Sequence, residues 1–433
     1  MDNRLLIRGA RIIDPANAID QLGDLLLEDG RVAAVGEVNR PAGDFPELDA
    51  RGLVATPGLV DIHVHLREPG LEYKEDIRSG AAAAVAGGFT AVCCMPNTVP
   101  PNDSRAVTDL IRQRAAEAGT ARVHPVAAVT LGLEGKALTE MAELREAGAV
   151  AVSDDGHPIA NAGIMRRALE YASTFGLPVI NHCEELSLSR RAAMHEGISS
   201  AWTGLAAQPS SAEEVMLARD LILAGETGAR YHAAHLSTAG SVALVRRAKA
   251  DGFPVTAEVT VHHLLLTDEA NLEFDTNTKC NPPLRTAADR AACVAGLVDG
   301  TIDALVTDHA PHTPNDKAVE FEDAPFGVIG LETALPLALR LVEQGVLDLP
   351  TLIHRMTCGP ARCLGLDSGT LTVGAAADVT LIDPELRWTI QPEHFQSKSR
   401  NTPFGAWDVC GRAVTTIVGG RVVYRWPDGL VNG

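Results

Sequence analysis

The chain has 433 residues, of which 46% are hydrophobic and 21% charged, and carries a formal net charge of -19. Such a chain is globular, long enough for one large domain plus a smaller one or for two to three average domains, and has no apolar run as long as a membrane span. The acidic balance argues against a polyanionic partner, because nucleic-acid binders need a basic patch.

The amino terminus, MDNRLLIRGARIIDP, mixes charges among its apolar residues and lacks the basic start and long apolar centre of a secretory signal, so it reads as folded structure. It and DLLLEDGRVAAVGE are short strands with Gly-bearing turns, as are GTLTVGAAADVTLID and AVTTIVGGRVVY near the other end. Residues 1–56 and 367–433 are therefore expected to combine in one small β-sandwich domain.

Between them, residues 57–366 alternate short apolar runs with helical patterns, the signature of parallel βα units. Strands are predicted to end near His65, Met95, Val129, Ser153, His182, His235, Glu258 and Thr307. Units of about 35 residues suit a strand, crossover helix and return, and eight of them predict a closed (β/α)8 barrel of the α/β class. The clearest helices are AGIMRRALEYASTFG, stopping at Gly176 before Pro178, and SAEEVMLARDLILAG, with Ser210 or Ser211 as cap.

Chemistry in such barrels sits at the carboxyl ends of the strands. Those ends carry His63 and His65, then Asp154 and Asp155, His182, His235 and Asp308. In an extended chain His63 and His65 face one way, about 6.6 Å apart. Each residue alone has an ordinary structural explanation, since histidines at strand ends are often just hydrogen-bonded and DDG is a common turn. Together, four His and two Asp positions on one rim describe a binuclear zinc-type site with a bridging carboxylate. Arg67, on the His65 face, can grip a carboxylate or simply pair with Glu68 or Glu72. His262 and His263, before an apolar run, read as structural. The eight scattered cysteines read as reduced thiols of a cytoplasmic protein.

The ordered motifs DIHVHLREPG, MPNT, SDDG, NHCE, AHLST, AEVTVHHLLL, NPPLR, VTDHAPH and SRNTPFG resemble those of the amidohydrolase superfamily, specifically the bacterial class I dihydroorotases, over essentially the whole chain. The resemblance implies two Zn2+ ions per chain. His63, His65 and Asp308 would hold one and His182 and His235 the other, with Asp155 and a water or hydroxide as bridges. The 27-residue spacing from Asp155 to His182 resembles the family's and favours Asp155 over Asp154. None of the six lysines (74, 136, 249, 279, 317 and 398) lies where many relatives place a carbamylated bridging lysine.

The same resemblance makes Asp308 the catalytic acid/base and His65, Arg67, Asn97, Asn281 and His312 substrate contacts, with the Phe326 and Gly327 backbone closing over the ring. It implies reversible cyclisation of N-carbamoyl-L-aspartate to L-dihydroorotate in pyrimidine (UMP) biosynthesis. The alternatives are another cyclic-amide hydrolase (hydantoinase, dihydropyrimidinase or allantoinase) and a non-catalytic partner of aspartate transcarbamoylase. A homodimer and an association with aspartate transcarbamoylase are left open. The acidic stretch TPNDKAVEFED, Thr313 to Asp323, reads as a mobile loop beside the site.

Overall fold

Eight short parallel strands succeed one another around a barrel in the computed structural model, which describes residues 4–431 except 40, 44 and 191. They are β1 (Leu59–Val64), β2 (Phe89–Cys94), β3 (Arg122–Ala127), β4 (Ala151–Ser153), β5 (Val179–Asn181), β6 (Tyr231–Ala233), β7 (Val255–Thr260) and β8 (Ala304–Val306). Each ends within two residues of the predicted position. Pairing follows chain order, and the ring nearly closes where Val64 bridges His309 and the His65 N–H donates to the His309 carbonyl at 2.8 Å.

Strand alternation divides the apolar residues into two layers. Val60, Ile62, Ala91, Cys93, Val126, Ala151, Ile180, Ala304 and Val306 pack inside the ring. Leu59, Val92, Cys94, Ala127, Val152, Val179, Ala233, Val259 and Leu305 join the core between ring and helices. That burial on both faces explains why the strands read as continuous apolar runs.

The helix after β4 spans Ala162–Thr174. It starts where the Asn161 side chain accepts from the N–H groups of Gly163 and Ile164 at 2.8 and 3.1 Å, and it stops ahead of Gly176, whose φ is 66°. The helix before β6 spans Ser211–Thr227, with Glu213 and Glu214 in its first turn. The expected serine cap is not made there. Ser210 takes the cap position in helical geometry (φ -56°, ψ -33°), where its side chain makes no cap hydrogen bond.

Both chain ends meet in a single nine-stranded sheet. The strand Val54–Pro57 pairs in parallel with Arg4–Asp14 and antiparallel with Val379–Thr389, which joins the two ends. The sheet rolls until Arg31 bridges Ala376, enclosing Leu5, Ile7, Ile12, Leu25, Leu27, Val379, Leu381 and Ile417 in one core. The sandwich-like body thus arises from one continuous hydrogen-bonded sheet. Gly58 links it to β1, and a Cβ there would lie 2.0 Å from Thr90 Oγ1. The eight cysteines are free thiols, buried except for the partly exposed Cys410. No helix among the described residues is long and apolar enough to cross a membrane.

Candidate active site

The barrel's carboxyl rim encloses a cavity of about 320 Å³ lined by every predicted site residue except His63, which lies fully buried beneath it. His63 and His65 leave the end of β1 on the same side, with ring centroids 5.6 Å apart. The Nε2 of His65 lies 3.0 Å from Asp308 Oδ1 and 3.6 Å from Asp155 Oδ2. The Nε2 of His63 lies 3.3 Å from Asp155 Oδ1 and 3.7 Å from Asp308 Oδ1. Across the cavity, His182 Nδ1 faces His235 Nε2 at 3.0 Å, and the latter lies 3.9 Å from Asp155 Oδ1.

The remote ring nitrogens of three of these histidines are held. Glu258 takes His63 Nδ1, Asn97 Oδ1 takes His65 Nδ1 at 2.9 Å, and Glu184 Oε2 takes His182 Nε2 at 3.0 Å. Such partners fix a ring's tautomer and orientation. Two of the three, Glu184 and Glu258, were missed from the sequence; the signals were an acid two residues beyond His182 in NHCE and a lone acid in the apolar run VTAEVTV. Asn281 donates to Glu184 at 2.9 Å and is held by Gln208 at 3.2 Å, so Asn97 and Asn281 both line the cavity and brace its histidines.

His63 Nε2 and Asp155 Oδ1 are buried and make no hydrogen bond. A carboxylate accepts only, so with Nδ1 protonated toward Glu258 a neutral His63 would set two lone pairs face to face. Against the effect of burial, Glu258 and Asp155 raise the His63 pKa well above its ordinary value, so positive charge is favoured at this position. A cation between them removes that repulsion, and the donor set of imidazole nitrogens and carboxylate oxygens is one that zinc takes. Ligand atoms of His63, Asp155 and His235, and of His63, His65 and Asp308, lie within 4.8 Å of one another, so these clusters could hold metal. Burial alone would raise both acids, but the neighbouring histidines win. His63 and His65 hold Asp155 well below the carboxylate range, and His65 and His63 bring Asp308 to about 2.

A third cluster, His262, His263 and Cys280, differs in kind. Both ring nitrogens of His263 are engaged, by Thr260 Oγ1 at 2.7 Å and the Pro282 carbonyl at 3.0 Å, and burial pushes the Cys280 thiol up to about 12. These features fit the structural reading of His263; His262 Nε2 is buried without a hydrogen bond.

Arg67 forms no ion pair with Glu68 or Glu72; Glu68 pairs with Arg114 at 3.1 Å, and the Glu72 carboxylate accepts from the Gly70 N–H at 2.8 Å. Its guanidinium donates only to the Pro311 carbonyl, at 3.3 Å, among the described residues, and burial lowers its pKa to about 10. His312 lies between Lys74 Nζ at 3.1 Å and the Phe326 carbonyl at 2.8 Å, and burial, with Arg67 and Lys74 adding to it, lowers its pKa to about 2. It therefore enters the site neutral. Gly327 has φ 145°, and a Cβ there would lie 2.7 Å from the Ala310 carbonyl oxygen. Arg67, His235 and Asp308 also have positive φ (63°, 29° and 46°), clustering backbone strain at this rim.

The stretch from Thr313 to Asp323 is tied down, contrary to the mobile loop predicted from its composition. It holds the short helix Pro314–Lys317, closed by a capping box of Thr313 and Asp316. Lys317 Nζ donates to the carbonyls of Thr276 and Pro325, and Lys279 Nζ to those of Phe321 and Glu322, at 2.7 to 2.9 Å. Composition registered the acids, but the tethers are main-chain carbonyls reached by buried lysines.

The chain is similar to known proteins over nearly its whole length. Residues 52–241 match the family model described as dihydro-orotase-like, and residues 281–424 match the amidohydrolase family. The chain is 54% identical to the dihydroorotase of Syntrophotalea carbinolica over 98% of this chain and 100% of that one. It is 53% identical to the dihydroorotase of Geobacter metallireducens over 97% and 99%. Among solved structures, the L-hydantoinase (dihydropyrimidinase) of Arthrobacter aurescens superposes with a TM-score of 0.88 at 26% identity, covering 100% of this chain and 98% of that one. The dihydropyrimidinase of Brevibacillus agri gives 0.83 at 22% over 98% and 95%, a likeness of fold alone.

Proposed function

The chain belongs to the dihydroorotase family, and from that premise we propose that it catalyses the reversible, zinc-dependent cyclisation of N-carbamoyl-L-aspartate to L-dihydroorotate and water in pyrimidine biosynthesis. The observation that carries the metal-dependent reading is the unpartnered pair His63 Nε2 and Asp155 Oδ1 at the floor of a cavity that also presents Arg67.

His63, His65 and Asp308 would hold one zinc ion and His182 and His235 the other, with Asp155 shared between them. When bound, the ions supply Lewis acidity toward a carbonyl oxygen and lower the pKa of water. Arg67 grips the free carboxylate of the substrate through charge-assisted hydrogen bonds, and Asn97, Asn281 and His312 orient the ring. The Phe326 and Gly327 backbone closes over it. In ring opening, Asp308 takes the proton of the attacking water and passes it to the leaving ring nitrogen. In ring closure it takes that proton from the carbamoyl nitrogen as the ring C–N bond forms and the carboxyl C–O bond breaks, and returns it to the departing hydroxide, which leaves as water. Asp308 is a carboxylate at neutral pH, so it can accept a proton.

A hydantoinase-like activity is the second reading, favoured by the superposition with the Arthrobacter protein. It is weaker, because no lysine lies at the β4 end and Arg67 stands ready for a substrate carboxylate. The testing experiment measures ring opening of L-dihydroorotate by chain stripped with a chelator and resupplied with zinc, with hydantoin as control. Zinc-restored turnover of dihydroorotate supports the proposal, and turnover of hydantoin alone replaces it with the second reading. Turnover that appears only on adding aspartate transcarbamoylase assigns that protein as a partner, and a mass measurement of the native chain tests the homodimer.

A further inference from the structure

Glu258 is a carboxylate sealed inside the barrel, with no accessible surface. It lies on β7 between the apolar residues Ala257 and Val259, which face the outer core. An ionised acid in such a place is stable only when its acceptor capacity is filled. Three N–H donors fill it, from two other strands. Oε1 faces His63 Nδ1 at 2.5 Å and accepts from the His235 backbone N–H at 3.2 Å, and Oε2 faces His232 Nε2 at 3.0 Å. His232 is itself anchored, through Nδ1 and Thr256 Oγ1 at 2.7 Å.

Each contact has a consequence at the cavity floor. Because the carboxylate only accepts, a neutral His63 must carry its proton on Nδ1, which turns the Nε2 lone pair toward Asp155 and Asp308. The bond to the His235 N–H secures a residue whose φ of 29° is uncommon for any residue with a side chain, so it helps set where that imidazole enters the cavity. One side chain therefore touches a residue from each half of the site.

We infer that Glu258 is the positioning residue that couples the two halves of the metal centre, fixing the His63 tautomer and the His235 backbone through a single buried carboxylate. The inference rests on the assignment of His63 and His235 as metal ligands proposed above. His232 and Thr256 act as its buttress, keeping the carboxylate from rotating away from His63.

The test is zinc affinity, read by competition with a chromophoric chelator, for the unaltered chain and for Glu258→Gln. The amide has one acceptor oxygen where the carboxylate had two, so it cannot accept from His63, the His235 N–H and His232 together, and its hold on the His63 tautomer and the His235 backbone weakens. Affinity is expected to fall about 10- to 100-fold. Unchanged affinity in the folded variant overturns the inference, whereas failure of the unaltered chain to bind zinc overturns the metal assignment itself. A merely structural role for Glu258 lowers the melting temperature of the metal-free chain and leaves zinc affinity intact, which also overturns the inference. Should Glu258→Gln not fold, 15N-histidine NMR of the unaltered zinc-loaded chain decides. A slowly exchanging proton on His63 Nδ1, assigned by its loss in His63→Asn, supports the inference, and rapid exchange with water overturns it.

Discussion

Asp154 and Asp155 are neighbours in the chain with opposite surroundings. Asp154 Oδ1 accepts from the N–H groups of Val129 and Thr130 at 2.8 and 3.0 Å, and its Oδ2 takes the Thr130 hydroxyl, so it ties the end of β4 to the loop after β3. Asp155 Oδ1 has no hydrogen bond and points at His63. Asp154→Ala should therefore cost about 1–3 kcal/mol of stability through unpaired donors and keep its bound metal. Asp155→Ala should fold and lose metal. Urea unfolding paired with metal analysis after dialysis checks both, and the reverse pattern would exchange the two roles.

Asp308→Asn removes the group assigned to proton transfer while keeping its shape. Substrate binding should persist while kcat falls by about 10²- to 10⁴-fold. Single-turnover kinetics with L-dihydroorotate, at confirmed metal content, measure the two separately; near-normal turnover would remove Asp308 as acid/base.

Arg67→Met deletes a guanidinium that donates to one carbonyl and otherwise faces the cavity. A charge-assisted contact of about 1.5–3 kcal/mol should be lost, mostly as a raised KM. An unchanged KM for L-dihydroorotate would count against the carboxylate contact.

His263 supplies a pH dependence. Burial lowers its pKa from 6.5 to about 4. Between those values the unfolded chain binds a proton that the folded chain refuses. The contribution of His263 is thus complete above pH 6.5 and fades as pH falls toward 4. The stability difference between the unaltered chain and His263→Gln should shrink by roughly 2–3 kcal/mol from pH 7.5 to 4.5. Urea midpoints at the two pH values measure it, and a constant difference would show that His263 titrates normally in the fold.

Much of this protein is legible in its sequence for a physical reason. Parallel strands buried on both faces must be short apolar runs, and a parallel barrel delivers all their carboxyl ends to one rim. His63, His65, Asp155, His182, His235 and Asp308 could therefore be gathered onto one surface before any contact was known. That the strands of the two chain ends combine in one β body was also legible, but not their union in a single rolled sheet, because strand periodicity carries no pairing partner.

What the tertiary structure alone decided is where each polar group spends its hydrogen bonds. Asp154 and Asp155 have the same chemistry; the spacing to His182 favoured Asp155 only by resemblance, and the physical difference between them is that the Val129 and Thr130 N–H groups engage Asp154. Glu258 meets His63 across 195 positions of sequence, and Lys279 tethers the Phe321 and Glu322 carbonyls across 42 and 43. Residue type and periodicity fix which face of a strand a side chain takes, because those are local. Which donor meets which acceptor depends on how distant strands and loops are brought together, and that is settled only by closing the barrel.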